Sequence, residues 1–311
     1  MPSAPEAQPT PQVERSRCSV LITDLDNTLW DWFKIWHASF SALLREVVRA
    51  SGVPQEILEQ EIREVHQRRH TSEYAFLLQE LPSLQRLHPG QDIPAIYDGA
   101  IHAHRRARQE TVEPYPGVRE TLLEIRNAGA LIIGHTESMA FYTADRLRRT
   151  GLDEVLDLLY SAPDHDLPAG ASPEQLRTLP AEHYELRRTV HRHTPRGVLK
   201  PDPTLLRTIM QDIDAVPSEV AYVGDSLMKD IAMALSAKIV AVWAKYGESH
   251  RREGYELLRR VSHWTPEDVE REKRFGHQDA TPTYEIESFD ALLSLFAFQP
   301  RATPRPPPVQ P

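Results

Sequence analysis

Short apolar runs recur along the chain, and each ends abruptly in polar residues. Val20-Leu21-Ile22 stops at Thr23-Asp24, and Ala130 to His135 stops at Thr136. Leu156 to Tyr160 is a shorter run, Val220 to Val223 stops at Gly224-Asp225, and Ile239 to Trp243 runs into Lys245. Runs this short, bounded by turn residues, read as buried strands. Helical spacing fills the gaps: Val118 to Asn127 before Gly129, Ala140 to Arg149 before Gly151, a helix to Met210 after Lys200-Pro201-Asp202-Pro203, Lys229 to Leu235, and Phe289 to Phe296. Strand and helix in alternation predict an α/β fold, a Rossmann-like doubly wound parallel sheet with helices on both faces.

One stretch breaks the alternation. Phe33, Ile35, Trp36, Phe40, Leu43, Leu44 and Val47 fall at helical spacing until Gly52-Val53-Pro54. Further helices are expected over Gln55 to Arg69, Ser72 to Leu81 and Ile93 to Arg108, so 32–113 is expected to be all helical. The α/β core is then discontinuous, 17–31 and 114–298, and holds a polar excursion over 161–196 and a charged, helical arm over 245–283. The Pro-rich ends, 1–16 and 299–311, read as disordered tails.

Composition narrows the partners. A net charge of -9 disfavours a nucleic acid polymer. No apolar run approaches the roughly 18 residues of a membrane span, and the Pro-rich start lacks the apolar centre of a secretory signal. The single Cys18 excludes an internal disulfide and is expected as a small buried hydrophobe. A cytoplasmic location follows as the expectation.

The chemistry sits where the apolar runs stop. Asp24 and Asp26 lie two residues apart, with Thr28 behind them. Thr136, Glu137 and Ser138 follow the second long run; Lys200 precedes two prolines; Gly224-Asp225-Ser226 follows another run, with Asp230 beyond. Open α/β sheets gather ligands beyond the carboxyl ends of their strands, so these residues can share one crevice. Two adjacent carboxylates repel, and a divalent cation relieves that repulsion. Each residue alone has another explanation: Asp24-Leu25-Asp26 as a turn, Thr136 as a helix cap, Lys200 as a surface lysine, Asp225 as a turn residue. Their joint order is what a set of turns and caps explains badly.

Asp24-Leu25-Asp26-Asn27-Thr28, Thr136, Lys200-Pro201 and Gly224-Asp225-Ser226 with Asp230 resemble, in order, the four motifs of haloacid dehalogenase-like hydrolases. The helical stretch resembles the cap that phosphatases of that superfamily insert between motifs one and two. The resemblance implies Asp24 as nucleophile forming an aspartyl-phosphate, and Asp26 as the acid that protonates the leaving alkoxide and then activates water. It implies Mg²⁺ held by Asp24, the Asp26 carbonyl and Asp225. Thr136, the backbone N–H groups of Leu25 and Glu137, and Lys200 would bind phosphate, with Asp230, Ser226 and Thr28 in support. An Asp at position 26 argues for phosphoryl transfer, because a halide leaving group needs no acid.

The expected substrate is a small phosphate ester: a nucleotide, flavin mononucleotide or sugar phosphate. Trp30, Lys34, His66, Arg69 and Tyr74 are the candidate cap contacts, with Trp32, Trp36, Arg68, His70 and Thr71 near them. The basic run 66–70 reads rather as a solvated helix end, and Trp30, Trp32 and Trp36 as core or cap–core packing. The excursion, with Asp164, His165, Asp166, His183, His191 and His193, is expected to serve dimerisation or the site entrance; a second metal site is its weaker reading, and a homodimer stays open. The alternatives to a phosphatase are a phosphomutase of the same superfamily and a non-catalytic binding or regulatory protein on the same fold.

Overall fold

A computed structural model describes residues 15–164, 180–249 and 252–301. In chain order the elements begin with strands β1 Ser16–Cys18 and β2 Val20–Thr23, then helices α1 Trp32–Ser51, α2 Gln55–Arg69, α3 Pro82–Leu87, α4 Ile93–Ile96 and α5 Asp98–Thr111. Next come α6 Val118–Asn127, β3 Leu131–Met139, α7 Ala140–Arg149, β4 Leu158–Ala162, β5 Val190–His193, α8 Pro203–Asp212 and β6 Val220–Gly224. The chain continues through α9 Ala232–Ser236, β7 Val240–Ala244, α10 Tyr255–Val261, α11 Pro266–Arg274, β8 Tyr284–Ile286, α12 Leu292–Leu295 and β9 Phe296–Phe298.

Seven strands form one sheet in the order β5-β4-β3-β2-β6-β7-β8, and every pairing is parallel. All residues of β2 and β6 are buried, as continuous apolar strands covered on both faces must be. Their side chains alternate between two clusters. Leu21 packs with Leu122 of α6 and Leu147 of α7, while Val20 and Ile22 pack with Leu206 of α8 and Met233 of α9. The expected α/β sheet with helices on both faces is present. The chain starts at β2, builds outward to β5, then returns to β6 on the other side, so the strand order reverses beside β2. That switch opens a crevice beyond the carboxyl ends of β2, β3 and β6.

The stretch between β2 and β3 is helical, α1 to α5. Asp31 starts α1 by accepting the Lys34 N–H at 2.8 Å, and Gly52 ends it at φ 70°. Phe33, Trp36, Phe40 and Leu44 then pack against Leu58, Ile62 and Val65 of α2 and Ala100 of α5. No helix covers Ser72 to Leu81; only Leu78–Glu80 makes a 3₁₀ turn. Pro82 explains the break, because it forces Leu81 extended (φ -78°, ψ 116°) and then opens α3. The helix expected over Ile93 to Arg108 divides at Tyr97, whose buried ring hydroxyl meets His88 Nε2 at 3.1 Å.

Two segments behave differently from their sequence reading. Val190–His193, inside the polar excursion, is the sheet's edge strand β5. An edge strand with half-exposed faces needs no apolar run, so alternation gave no signal. From the charged arm, α10 places Tyr255, Leu258 and Val261 in the cluster of the helical region. Cys18 is buried as expected, and burial pushes its thiol up to about 12. Among the described residues, no helix is long and apolar enough to cross a membrane. His165 and Asp166 lie outside the described residues.

Candidate active site

The sheet brings the polar strand ends together. The Asp24 N–H donates to the Val223 carbonyl at 2.8 Å, extending the β2–β6 ladder by one residue and setting Asp24 beside Asp225. Asp24, Asp225 and Asp230 present carboxylate oxygens that all lie within 4.8 Å of one another. Lys200 reaches in from the turn before α8. Its Nζ bonds Asp24 Oδ1 and, at 2.7 Å, Asp230 Oδ1. Only 3% of the Lys200 side chain is exposed, so this charge cluster is shielded from water.

Asp230 is held from three sides: by Lys200, by the Tyr222 hydroxyl at 3.0 Å and by the Ser226 N–H at 3.1 Å. It sits in a π-helical turn, Leu227–Ile231, that precedes α9 where a plain helix start was expected. Gly224 makes this possible, since a Cβ there would meet the Asp230 carboxyl carbon at 2.4 Å. Ser226 accepts the Lys229 N–H at 3.2 Å and so caps the turn.

Asp26 occupies the next position of the same loop. Its Oδ1 accepts the Trp30 indole N–H at 2.6 Å and Arg146 Nη1 at 3.2 Å, and its Oδ2 accepts the Ser138 hydroxyl. Thr136 is buried on β3, which continues to Met139 through an irregularity after His135. Its hydroxyl accepts the Ser138 N–H at 3.0 Å. Glu137 accepts the Lys200 N–H at 2.7 Å and Lys229 Nζ at 2.6 Å, so its side chain positions the lysine segment. The Thr28 hydroxyl is buried without a partner, while its carbonyl accepts the Tyr246 hydroxyl at 2.7 Å. Gly247 lets that segment touch the loop: a Cβ would fall 2.0 Å from the Asn27 carbonyl oxygen.

Burial raises Asp24 to about 7 despite the neighbouring Lys200 charge. Burial, with Asp24 and Asp230 beside it, raises Asp225 well above the usual carboxylate range. Burial disfavours the Lys200 charge, but Asp230 and Asp24 outweigh it and hold the ammonium. Burial likewise opposes the Glu137 charge, and Lys229 and Lys200 overcome it. Three carboxylates, two buried and Asp225 half-buried, face one lysine, so with all three ionised the site carries an excess of negative charge. An oxygen-only donor set with that excess fits a hard divalent cation such as Mg²⁺.

The candidate substrate contacts are spread out. Trp30 is buried in the core and spent on Asp26. Lys34 pairs with Glu113 at the surface, and Arg69 and Tyr74 both bind Glu80. His66 is buried, and its Nδ1 lies 2.6 Å from the Val261 carbonyl. Tyr74 and His66 also line a cavity of about 470 Å³ with Trp36, Phe40, Glu73, Arg108 and Tyr142.

Sequence reasoning passed over Tyr222, Lys229, Tyr246, Gly247, Glu73 and Arg146. For Arg146 a signal existed. It lies next to Leu147 and three residues from Thr143, on the buried face of α7. A cation there asks for a buried anion.

The model of the haloacid dehalogenase-like hydrolases matches residues 18–238. A curated relative, the glyceraldehyde 3-phosphate phosphatase of Methanopyrus kandleri, is 23% identical over 235 residues, which span 73% of this chain and 84% of that protein. Among solved structures, 2-haloacid dehalogenase from Pseudomonas syringae pv. Tomato is similar with a TM-score of 0.49 at 20% identity, covering 89% of this chain and 97% of that one. The HAD hydrolase YfnB from Bacillus subtilis, bound to magnesium, gives 0.48 at 15% identity with the same coverage, 89% and 97%. With more than half of its length matched by the family model and the four motifs gathered at one sheet switch point, the chain belongs to the haloacid dehalogenase-like hydrolases.

Proposed function

We propose that the protein is a Mg²⁺-dependent phosphatase that hydrolyses a small phosphorylated metabolite through an aspartyl-phosphate on Asp24. The observation that carries this reading is the pairing of two unlike carboxylates on one loop. Asp24 is buried against Lys200 among other carboxylates, and Asp26 is held apart by neutral donors and one arginine. A nucleophile and a proton carrier need such different surroundings.

Asp24 attacks phosphorus, and the bond to the leaving oxygen breaks. Asp26 gives that oxygen a proton, then takes one from the water that cleaves the acyl phosphate. Lys200 and the Thr136 hydroxyl stabilise the charge on the transferring group, and Asp230 with Tyr222 keeps Lys200 in place. Asp24, Asp225 and the Asp26 carbonyl would hold Mg²⁺, which would supply the positive charge needed for a dianionic phosphate to approach a carboxylate. The helical region between β2 and β3 acts as the cap that reads the leaving group. The curated relative named for a triose phosphate supports a small phosphate ester as substrate.

The test is phosphate release from a panel of nucleotides, flavin mononucleotide, sugar phosphates and other phosphorylated metabolites. Wild type and Asp24→Asn are assayed side by side, with Mg²⁺ and with EDTA. Release by wild type with Mg²⁺ alone supports the reading. Equal release by Asp24→Asn, or release indifferent to EDTA, removes it.

A further inference from the structure

Among the described residues Arg146 is a deeply buried cation outside the Lys200 cluster, with 1% of its side chain exposed. A buried guanidinium is costly unless its donors are met by carboxylates. Here Nη1 and Nη2 are met by two carboxylates from different parts of the chain, while the buried Nε has no partner among the described residues. Nη1 bonds Asp26 Oδ1 at 3.2 Å, and Nη2 bonds Glu73 Oε1. Glu73 lies in the loop after α2, and its other oxygen accepts the Trp32 indole N–H at 3.1 Å. A continuous chain of bonds therefore runs from the helical region to the carboxylate that moves protons.

The two oxygens of Asp26 are treated unequally. Oδ1 is fixed twice, by Trp30 and Arg146. Among the described residues Oδ2 meets only the Ser138 hydroxyl, a group that can rotate away and can accept as well as donate. Oδ1 is thus the anchor and Oδ2 the oxygen that exchanges a proton. Glu73 balances the Arg146 charge, so the guanidinium can orient Asp26 without adding net positive charge beside it.

We propose that Arg146 is a positioning residue that aims Asp26 Oδ2 at the leaving oxygen, and that Glu73 makes this aim depend on the seating of the helical region. The inference rests on the reading of Asp26 as the acid. In the step concerned, the phosphorus–oxygen bond to the alcohol breaks as the bond to Asp24 forms, and the Oδ2 proton passes to the departing oxygen. Mispositioning Asp26 therefore harms esters whose alcohol is a poor leaving group and spares those whose leaving group departs as a stable anion.

The experiment compares kcat/KM for an alkyl phosphate and for para-nitrophenyl phosphate in wild type, Asp26→Asn, Arg146→Lys and Glu73→Gln. This ratio covers only the steps through departure of the alcohol, so it reads the acid role and not the later hydrolysis. Lysine keeps the charge but cannot fork between two carboxylates. Since general acid catalysis contributes about 10²–10⁴, Arg146→Lys should lose roughly 10–10² on the alkyl ester and only a fewfold on the aryl ester. Glu73→Gln should shift the same ratio by less. Thermal unfolding of each variant shows that it is folded, and Glu73→Gln keeps the question open to measurement if Arg146→Lys is not. Equal losses on both esters, with Asp26→Asn showing the leaving-group dependence, would overturn the positioning role alone. Equal losses in Asp26→Asn itself would overturn the acid assignment and this inference with it.

Discussion

A single added methyl at position 224 should disable the site without touching any reacting group. A Cβ on Gly224 would lie 2.4 Å from the Asp230 carboxyl carbon, 2.5 Å from Oδ2 and 2.6 Å from its Cβ. Asp230 has no room to retreat, since it is 2% exposed. Moving it strains its bonds to Lys200 at 2.7 Å, to Tyr222 at 3.0 Å and to the Ser226 N–H at 3.1 Å. Overpacking of this kind costs about 1–3 kcal/mol of stability. The larger effect falls on Lys200, which loses one of its two carboxylates. Loss of one preorganised donor typically lowers the rate by about 10²–10³, and Gly224→Ala should fall in that range. The assay is kcat/KM on the best ester of the panel, with thermal unfolding alongside. Gly99→Ala is the control, because its Cβ meets nothing within 4 Å and the position is inside α5. The double variant Gly224→Ala/Asp230→Gly should be no slower than Asp230→Gly, because glycine at 230 removes all three atoms that the added methyl would meet most closely. Wild-type kcat/KM in Gly224→Ala would refute the reasoning.

Other outcomes follow from the same geometry. Asp24→Asn should fold and release no phosphate, since the amide matches the shape of the carboxylate but is a poor nucleophile; phosphate assay and thermal unfolding check both halves. Mg²⁺ at about 100 times its Kd should stabilise the wild type by about 2.7 kcal/mol, with no such response in Asp225→Ala, and EDTA should reverse it in a thermal melt. Acid should weaken the contact between α2 and α10 through His66, which burial lowers to about 4 from its ordinary 6.5. The unfolded chain then binds more protons between pH 6.5 and 4, so stability falls as pH falls through that window. From pH 7 to 5 the loss from this one ring is about 2 kcal/mol. His66→Asn keeps a donor for the Val261 carbonyl and does not titrate, so the difference in unfolding free energy between it and wild type should depend on pH; a constant difference would exclude His66 as a source of the acid loss.

What was legible in the sequence was whatever depends on period and on punctuation. Gln55–Arg69, Val118–Asn127 and Ala140–Arg149 were readable as helices from their apolar spacing and their Gly or Pro stops. The central strands were readable because burial on both faces demands an unbroken apolar run. Edge strand β5 carries one apolar residue in four and left no such mark. The loop over 70–77 looked helical in composition, yet Tyr74 and Arg69 converge on Glu80, a tertiary arrangement that no local pattern encodes. The strand-end carboxylates and Lys200 were legible because chemistry concentrates at polar stops after apolar runs. Their supports were not. Tyr222 looks like one more strand residue, and Arg146 like one of three arginines at a helix end. Only the packing of α7 against the loop of Asp26 shows which arginine is buried.

The most direct test of the central claim is a trap of the phosphorylated enzyme. Wild type is quenched in acid during turnover, reduced with borohydride and digested for mass spectrometry. Reduction of an acyl phosphate converts its aspartate to homoserine. The account predicts that conversion at Asp24 alone, and only when substrate was present. Phosphate released at full rate with Asp24 unmodified, or conversion at another carboxylate, would contradict it.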